Sequence, residues 1–560
     1  MRILLTFRDN YLLYYTGESI ETEKQSIASV IVHEQAHQWF GNLVTCKWWS
    51  HIWLNEGFAT YVAQLGFNEV YPEFEERREF LVDSVQGSMA FDIGPNQPIL
   101  NLAADKDEQT SSSVIIYDKG GSIIRMMEGF LGYETLIKSL VEYLKKYAYQ
   151  SAEQDELFNT MHEYVKDKIP ADKTFKEIMD TWTTQPGYPL IRVNKVGTSR
   201  VYISQERFLP AGETAPQTDL WEVPITVVTQ ASDATSHVPT FWLTKDTLMT
   251  SREHDTSKWL LLNPDAFGYY RVMYDDQTLK LIQAELNVNN KISGLSRSQL
   301  VDDYFTFAQH GHGSITAALD MTTSFFLEKD YVVWYTLFRH LTKTLQMFNN
   351  GDNSNLKSYL TPKLDEALRN VSWTQPPNEA GTKVIYRSRL ADWACALESD
   401  QCKVTAKNLM DAWQATPAQN PIGLDLQPVL YCAIVAQVDG GYDFIMDLFN
   451  KPETTDFQKG RLLNALACSQ KDVEIRNLLE LALDPNSVIS KSTVAVYQRA
   501  AGNKAARRIV FDLIRDDATF AKLKSHTDGV TFFSSIVTSL STYLNSESER
   551  TDLQTFIESK

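Results

Sequence analysis

The stretch "SVIVHEQAHQWFGN", from Ser29 to Asn42, contains two histidines four residues apart and a glutamate directly after the first one. On an α-helix, positions i and i+4 lie on the same face, so His33 and His37 can both reach a single ion. Glu34 lies about 100° further round the helix, where its carboxylate can reach a water molecule on that ion without binding the ion itself. The pattern is therefore typical of a helical metal site that carries its own base. The helix is expected to stop at Gly41.

A catalytic zinc ion takes three ligands from the protein and keeps a fourth position open, so a third ligand is expected nearby. The segment "WLNEGFATYV" predicts a second helix that starts near Leu54 and supplies Glu56, with 18 residues between this glutamate and His37. His51 is the competing ligand, but it precedes the predicted helix. Asn55, next to Glu56, is expected to support or cap the site rather than to bind the metal.

Length and charge exclude some classes of protein. A chain of 560 residues is too long for one hydrophobic core, so several domains are expected. The 53 basic and 71 acidic side chains give a net charge of −18, which disfavours a nucleic-acid partner. The N-terminal "MRILLTFRDN" is too short and too polar for a signal peptide. Taken alone, these features predict a cytoplasmic protein.

Three compositional regimes follow one another along the chain. Residues 1–188 mix helical and strand-like segments and end at the Pro- and Gly-containing "TTQPGYPLI". In residues 189–276 the period becomes two, as in "WEVPITVVTQ" and "TFWLTK", which predicts a small β-sandwich. Residues 277–560 are helical in pieces joined by short polar loops, which predicts stacked helical hairpins. The predicted fold class is multidomain α+β.

The cysteines give information on the redox compartment of the protein. Four of the five lie in the C-terminal half, at Cys395, Cys402, Cys432 and Cys468. Four cysteines can form two disulfides in three connectivities, which indicates an oxidising compartment, or they can be buried thiols. A zinc site made of these four is disfavoured, because no Cys-x-x-Cys pair occurs. A single sequon, "NVS" at Asn370, is compatible with secretion.

These motifs together resemble those of the M1 family of gluzincin zinc aminopeptidases. The resemblance is carried by "VIVHEQAHQWFGNLVTCKWW" and "WLNEGFATYV". In addition, "YDKGGSIIRMM" resembles the Tyr-x-Lys-Gly segment of that family, and "GYYRVMYD" resembles the end of its β-sandwich domain. The likeness covers essentially the whole chain. Within the family it is strongest to the animal aminopeptidase N group, with the insect midgut enzymes as a subgroup.

The resemblance implies a fold and a chemistry. It implies a thermolysin-like, mostly helical catalytic domain over 1–188, a β-sandwich over 189–276 and a superhelical, HEAT/ARM-like helical domain over 277–560. One Zn²⁺ per chain is expected. Its implied ligands are His33, His37 and Glu56. The implied general base is Glu34. Tyr117, which is predicted at a junction between a loop and a helix, is the implied donor to the oxyanion, although spacing alone would make this tyrosine a buried aromatic residue.

The resemblance also implies partners and a location. The substrates would be peptides with a free N-terminus, and the protein would form a homodimer without binding nucleic acid. The implied disulfides are Cys395–Cys402 and Cys432–Cys468, which leave Cys46 as a free, buried thiol. The expected location is the extracellular face of the plasma membrane or the secreted fraction. Membrane association of a longer parent protein would use segments outside this chain, and the protein would be a glycoprotein.

One departure from the family pattern concerns the N-terminus. Family members carry a Gly-x-Met-Glu-Asn strand just ahead of a stretch like "LLTFRDNYLLYY", and its glutamate binds the free amine of the substrate. This chain begins at "MRILLTFRDN" and contains no such motif. We therefore expect a truncated isoform or a partial gene model. Two alternatives follow: a thermolysin-like endopeptidase, or a catalytically impaired fragment that acts as a cell-surface receptor through its helical half.

Overall fold

The computed structural model describes residues 4–94, 96–101, 112–216, 218–232, 237–245, 249–288, 291–347, 353–526, 529–542 and 546–559. The chain forms two compact units. The first consists of Met1–Leu13 and Gln25–Leu337, and the second of Tyr14–Lys24 and Phe338–Lys560. Among the residues described, no helix is both long and apolar enough to cross a bilayer.

Helices dominate the chain up to residue 183. The α-helices are Glu21–Ala36, Trp53–Val70, Glu76–Phe80, Gly87–Phe91, Gly120–Leu131, Tyr133–Lys146, Gln154–Val165 and Phe175–Thr183. Two further segments, Leu81–Gln86 and Val114–Lys119, are π-helical. Short 3₁₀ turns lie at Asp9–Tyr11, Trp49–His51 and Pro72–Phe74. A two-stranded parallel sheet pairs Val44–Cys46 with Gln150–Ala152.

The core of this helical region is built around Gly120–Leu131, in which every residue is buried. A helix that is buried on all sides needs a mostly apolar sequence, as in "GGSIIRMMEGFL", and partners for any charge. Its Arg125 donates to the Ala266 carbonyl, and its Glu128 accepts from the Tyr61 hydroxyl. The helix Trp53–Val70 packs beside it and buries large aromatic side chains, among them Phe58 and Phe67. The helix that carries Glu56 therefore belongs to a well-buried part of the unit, whereas only Ile27, Ala28 and Ala36 are buried in the helix that carries His33.

The segment from 189 to 274 contains the longer strands, as the period of two predicts. A mixed four-stranded sheet has the order Arg271–Tyr274, Pro189–Val196, Arg200–Arg207, Met249–Glu253. Two small antiparallel pairs are Val223–Ile225 with Phe241–Leu243, and Val227–Thr229 with Leu260–Leu262. Buried and outward-facing residues alternate along Arg200–Arg207, so one face of this strand packs inward. The arrangement of these sheets as a sandwich stays a prediction.

The rest of the chain is helical, as predicted. Its α-helices are Asp276–Val288, Gly294–Gln309, Ile315–Asp320, Tyr331–Met347, Ser354–Val371, Thr382–Ala396, Asp400–Ala415, Gln427–Gln437, Gly441–Asn450, Asp456–Leu466, Asp472–Leu483, Thr493–Gly502, Lys504–Arg515, Asp517–His526, Gly529–Ser541 and Glu547–Ser559. Short 3₁₀ turns are Pro264–Ala266, Thr323–Phe326, Leu424–Leu426 and Val488–Ser492. The superhelical stacking and the boundaries of the three domains stay predictions. The strands begin at Pro189, and the helices resume at Asp276.

The two implied disulfides are both present in the second unit. Cys395–Cys402 joins the end of one helix to the start of the next, with Cα atoms 5.2 Å apart. Cys432–Cys468 closes a sequence separation of 36 residues, with Cα atoms 5.4 Å apart. Cys46 is free, as implied, but its side chain is half-buried rather than buried.

A buried ion pair connects three segments of the first unit. The Lys119 ammonium lies 2.7 Å from Asp92, and both side chains are completely shielded from solvent. The same ammonium donates to the Gly187 carbonyl, while the Asp92 carboxylate accepts from the Gly187 amide. A buried charge is tolerated only when its hydrogen-bonding capacity is met, and this cluster meets it.

Replacing Lys119 with Ala should leave the Asp92 charge buried without its cationic partner. We expect a loss of about 3–5 kcal/mol in the free energy that protects helix Gly120–Leu131 from hydrogen exchange. The matched control is Lys145→Ala, which removes an exposed pair with Glu142 and should cost at most about 1 kcal/mol. Equal losses in the two variants would contradict a structural role for the buried pair.

Candidate metal centre

The structure brings His33, His37 and Glu56 together. The two histidine Nε2 atoms are 3.1 Å apart. Glu56 Oε2 lies 3.4 Å from His33 Nε2 and 3.1 Å from His37 Nε2. Within the described part of the chain, these three residues are the group of His, Cys, Asp or Glu side chains whose ligand atoms converge in this way. The three predicted ligands therefore meet at one point.

These distances fit a tetrahedral zinc ion. Zinc bonds to nitrogen and oxygen measure about 2.0–2.1 Å, so tetrahedral ligand atoms are separated by about 3.3 Å. Glu56 Oε2 is buried and has no hydrogen bond of good geometry, although both imidazole nitrogens lie close to it. A buried oxygen without a hydrogen bond is costly unless a cation satisfies it. Two imidazoles and one carboxylate are also a known catalytic ligand set for this metal.

The chain holds the second histidine in the tautomer that a metal needs. The helix was predicted to run to Gly41 but ends at Ala36. The backbone amide of His37 still donates to the His33 carbonyl, so the two histidines keep their helical i, i+4 spacing. His37 Nδ1 lies 3.0 Å from the Phe40 carbonyl and donates to it. The lone pair is thereby left on Nε2, the atom that faces Glu56.

Gly41 makes that turn possible. Its φ is +131°, a conformation that L side chains rarely adopt, and an added Cβ would lie 3.4 Å from His37 Nδ1. The sequence indicated a helix stop at this glycine but gave no sign of the hydrogen bond from His37 to the Phe40 carbonyl. The signal that was available is the pair "FG" at positions 40 and 41, separated from His37 by two residues.

The electrostatics of the cluster are those of a charged carboxylate between imidazoles. Burial alone would raise the pKa of Glu56, but the close approach and the charges of His33 and His37 lower it to about 2. Burial would likewise lower the pKa of His37, yet the close approach and charge of Glu56 raise it above its ordinary value. The carboxylate is therefore ionised at neutral pH and available as an anionic ligand.

Glu34 lies beside the cluster without joining it. Its side chain is half-buried, and no hydrogen bond or ion pair engages the carboxylate among the residues that the structure describes. Its negative charge nevertheless acts on both His37 and Tyr117. The carboxylate is thus close to the predicted ligands and free to exchange a proton.

Tyr117 also faces the cluster, but from a different backbone than expected. It was predicted at a junction between a loop and a helix, whereas it lies inside the π-helix Val114–Lys119. Its ring stacks on His33 with centroids 5.8 Å apart. Burial, and then the charge and hydrogen bonding of Glu56, raise the pKa of Tyr117. The phenol therefore keeps its proton at neutral pH and can donate a hydrogen bond.

The two neighbouring candidates have other contacts. His51 is buried, and its Nδ1 accepts a hydrogen bond from the Gln154 amide at 3.4 Å. It is not part of the converging group, in which Glu56 is the residue that accompanies the two histidines. The Asn55 amide donates to the Cys46 sulfur at 3.5 Å. The sequence did not predict this contact, because Asn55 lies on a helix and Cys46 on a strand. Periodicity within one element does not show which other element it packs against.

Comparison with known proteins gives two family matches. The Peptidase family M1 domain matches residues 2–182, and the ERAP1-like C-terminal domain matches residues 259–560, more than half of the chain. The chain belongs to the M1 peptidase family. The metal-ligand cluster lies within the part that matches the M1 peptidase domain.

Individual M1 relatives resemble the chain over nearly its whole length. Aminopeptidase N of Homo sapiens is 29% identical over 577 residues, which cover 99% of this chain and 58% of the relative. Aminopeptidase Ey of Gallus gallus is 30% identical with the same coverage. The thyrotropin-releasing hormone-degrading ectoenzyme of Rattus norvegicus is 28% identical over 95% of this chain and 52% of its own length. The chain thus spans a little over half of the length of these relatives.

Removing one imidazole should remove most of the zinc affinity of this M1 family member. For His37→Ala we expect the zinc affinity, measured by competition with a chromophoric chelator, to fall more than about 100-fold, because one of three protein ligands is lost. His254→Ala is the matched control, since the ring of that histidine contacts the Lys258 carbonyl and lies outside the converging group. Unchanged affinity in the His37 variant would show that the metal binds elsewhere.

Proposed function

We propose that this chain is the catalytic and C-terminal portion of a zinc metallo-aminopeptidase that hydrolyses the N-terminal peptide bond of peptides. The single observation that carries the proposal is the convergence of His33 Nε2, His37 Nε2 and Glu56 Oε2 to mutual distances of 3.1–3.4 Å. Membership of the M1 peptidase family supports the class of reaction. Peptides with a free N-terminus are the proposed substrates.

His33, His37 and Glu56 would hold the metal, one Zn²⁺ per chain. When bound, zinc lowers the pKa of water and polarises a carbonyl group. Glu34 is the proposed general base. Its carboxylate has no competing hydrogen bond among the described residues, so it can accept the proton of the attacking water and pass it to the leaving amine.

Tyr117 is the proposed donor to the oxyanion. Its hydroxyl keeps its proton at neutral pH because burial and the nearby carboxylate raise the pKa. The ring is fixed by stacking on His33, so the donor does not have to be ordered during the reaction. A preorganised donor of this kind stabilises negative charge that develops on the substrate carbonyl oxygen.

We further assign residues 1–188 to a thermolysin-like catalytic domain, 189–276 to a β-sandwich and 277–560 to a superhelical domain. The intact set of ligands, base and tyrosine favours catalysis over a receptor that only binds. An endopeptidase would cleave peptides with a blocked N-terminus, and an aminopeptidase would not. Comparing one peptide with a free and with an acetylated N-terminus separates these two activities.

Glu34→Gln should abolish hydrolysis while leaving the metal site intact. We expect kcat for an aminoacyl p-nitroanilide to fall by about 100-fold or more, since the amide cannot accept a proton, with the zinc content unchanged. Gln35→Ala, at the next and exposed position of the same helix, should retain activity. Loss of zinc from the Glu34 variant, or unchanged turnover, would refute the role of this residue.

We propose an extracellular location, supported by the two disulfides of the second unit. Disulfides form and persist in oxidising compartments, where asparagine glycosylation also takes place. Asn370 is exposed in the last turn of helix Ser354–Val371, and Ser372 of the same sequon is exposed as well. A glycan on Asn370 would project from the end of the helix, so this asparagine is the proposed attachment site.

Secretion from eukaryotic cells should yield a chain that carries one N-linked glycan. Treatment with peptide N-glycosidase should lower its apparent mass once, and Asn370→Gln and Ser372→Ala should each abolish the shift, since either change destroys the sequon. Asn464→Gln alters an exposed asparagine outside any sequon and should retain the glycan. A secreted wild-type chain without a glycan would disprove the assignment.

A further inference from the structure

The helix that carries Glu56 and the helix that follows Tyr117 touch each other through their backbones. A Cβ atom added at Gly57 would lie 3.1 Å from the Cα and from the carbonyl carbon of Gly120, and 3.3 Å from the Ile116 carbonyl oxygen. A Cβ atom added at Gly120 would lie 3.2 Å from the Gly57 Cα. Both glycines are buried. Each position therefore requires the absence of a side chain.

This contact lies directly beside the functional groups. Gly57 follows Glu56 in the chain, and Ile116, whose carbonyl completes the contact, precedes Tyr117. Gly120 begins the α-helix into which the π-helix of Tyr117 continues. The two backbones are therefore in contact one residue away from Glu56 on one side and one residue away from Tyr117 on the other.

The segment around Tyr117 is also fixed from its other side. Lys119 is held by Asp92 and the Gly187 carbonyl, and the Ser84 hydroxyl donates to Asp118 at 3.0 Å. Because these contacts hold the segment around Tyr117, it cannot simply rotate to make room for a methyl group added at Gly57 or Gly120. The nearest atoms are backbone atoms, so they can yield only if the helices move apart.

We propose that the contact between Gly57 and Gly120 is a positioning device that holds Tyr117 at the distance from the metal-ligand cluster that catalysis requires. The inference rests on the proposed function. Gly57 and Gly120 are positioning residues, since neither touches the substrate or the metal; they act through Tyr117. Turnover is sensitive to such small displacements, because misplacement of a group by about 1 Å can cost about 100-fold in rate.

The test compares Gly120→Ala with a matched variant of the same helix. In the zinc-loaded chain, Gly120→Ala should lower kcat about 10-fold with little change in KM, because a donor moved by a fraction of an ångström stabilises the transition state less. The zinc content and the visible spectrum of the cobalt-substituted protein should stay unchanged, since the three ligands remain in place. Gly129→Ala, whose Cβ would lie 2.9 Å from Phe267, introduces a similar crowding far from Tyr117 and should retain kcat.

A double-mutant cycle with Tyr117→Phe then separates positioning from general damage. If the glycine acts through the tyrosine, Gly120→Ala should have no further effect on kcat once the hydroxyl is gone. An equal loss in both backgrounds, or a changed cobalt spectrum, would overturn the proposal. A wild-type chain without turnover would instead refute the proposed function. A Tyr117→Phe variant with the kcat of the wild type would refute it as well. If Gly120→Ala does not fold, Gly57→Ala approaches the contact from the opposite helix and has to give the same result.

Discussion

Holding three ligand atoms within 3.4 Å of one another is the constraint on which the first unit depends. Partial burial of a carboxylate beside two imidazoles costs solvation energy, and an uncompensated cluster would relax into solvent. The chain prevents this by placing His33 in one helix, His37 directly after the end of that helix, and Glu56 in the first turn of another. The Phe40 carbonyl fixes one imidazole, and the ring of Tyr117 covers the other.

Three of the residues proposed from the sequence converge in the structure, and their spacing reflects helix geometry. His33, Glu34 and His37 follow from the period of one helix, and Glu56 follows from the need for a third ligand. The backbone conformation around these residues was harder to predict from the sequence. The early helix end at Ala36 is accompanied by the local hydrogen bond from His37 to the Phe40 carbonyl, and the π-helical segment of Tyr117 includes Lys119, which contacts the distant Gly187 carbonyl. A periodic pattern reports which face is apolar and carries no information about such contacts.

The same limit applies to the fold. The change of period near residue 189 indicated strands, and the structure has them, because alternation depends only on neighbouring residues. The sequence could not predict that Tyr14–Lys24 belongs to the second unit, whose other residues begin only at Phe338. This grouping involves contacts such as the Glu21 amide with Asp425, separated by 404 residues. The two disulfides followed from family likeness, since spacing alone left three connectivities open.

The backbone contact between Gly57 and Gly120 has a consequence for how this part of the molecule can vary. Packed cores usually change by exchange, in which one side chain grows while its neighbour shrinks and the total volume is kept. Here both partners already have the smallest residue, so neither can shrink to admit the other. No second substitution at the contact can compensate for the first. The two positions are therefore fixed jointly, and drift at either one has to be absorbed by a movement of whole helices.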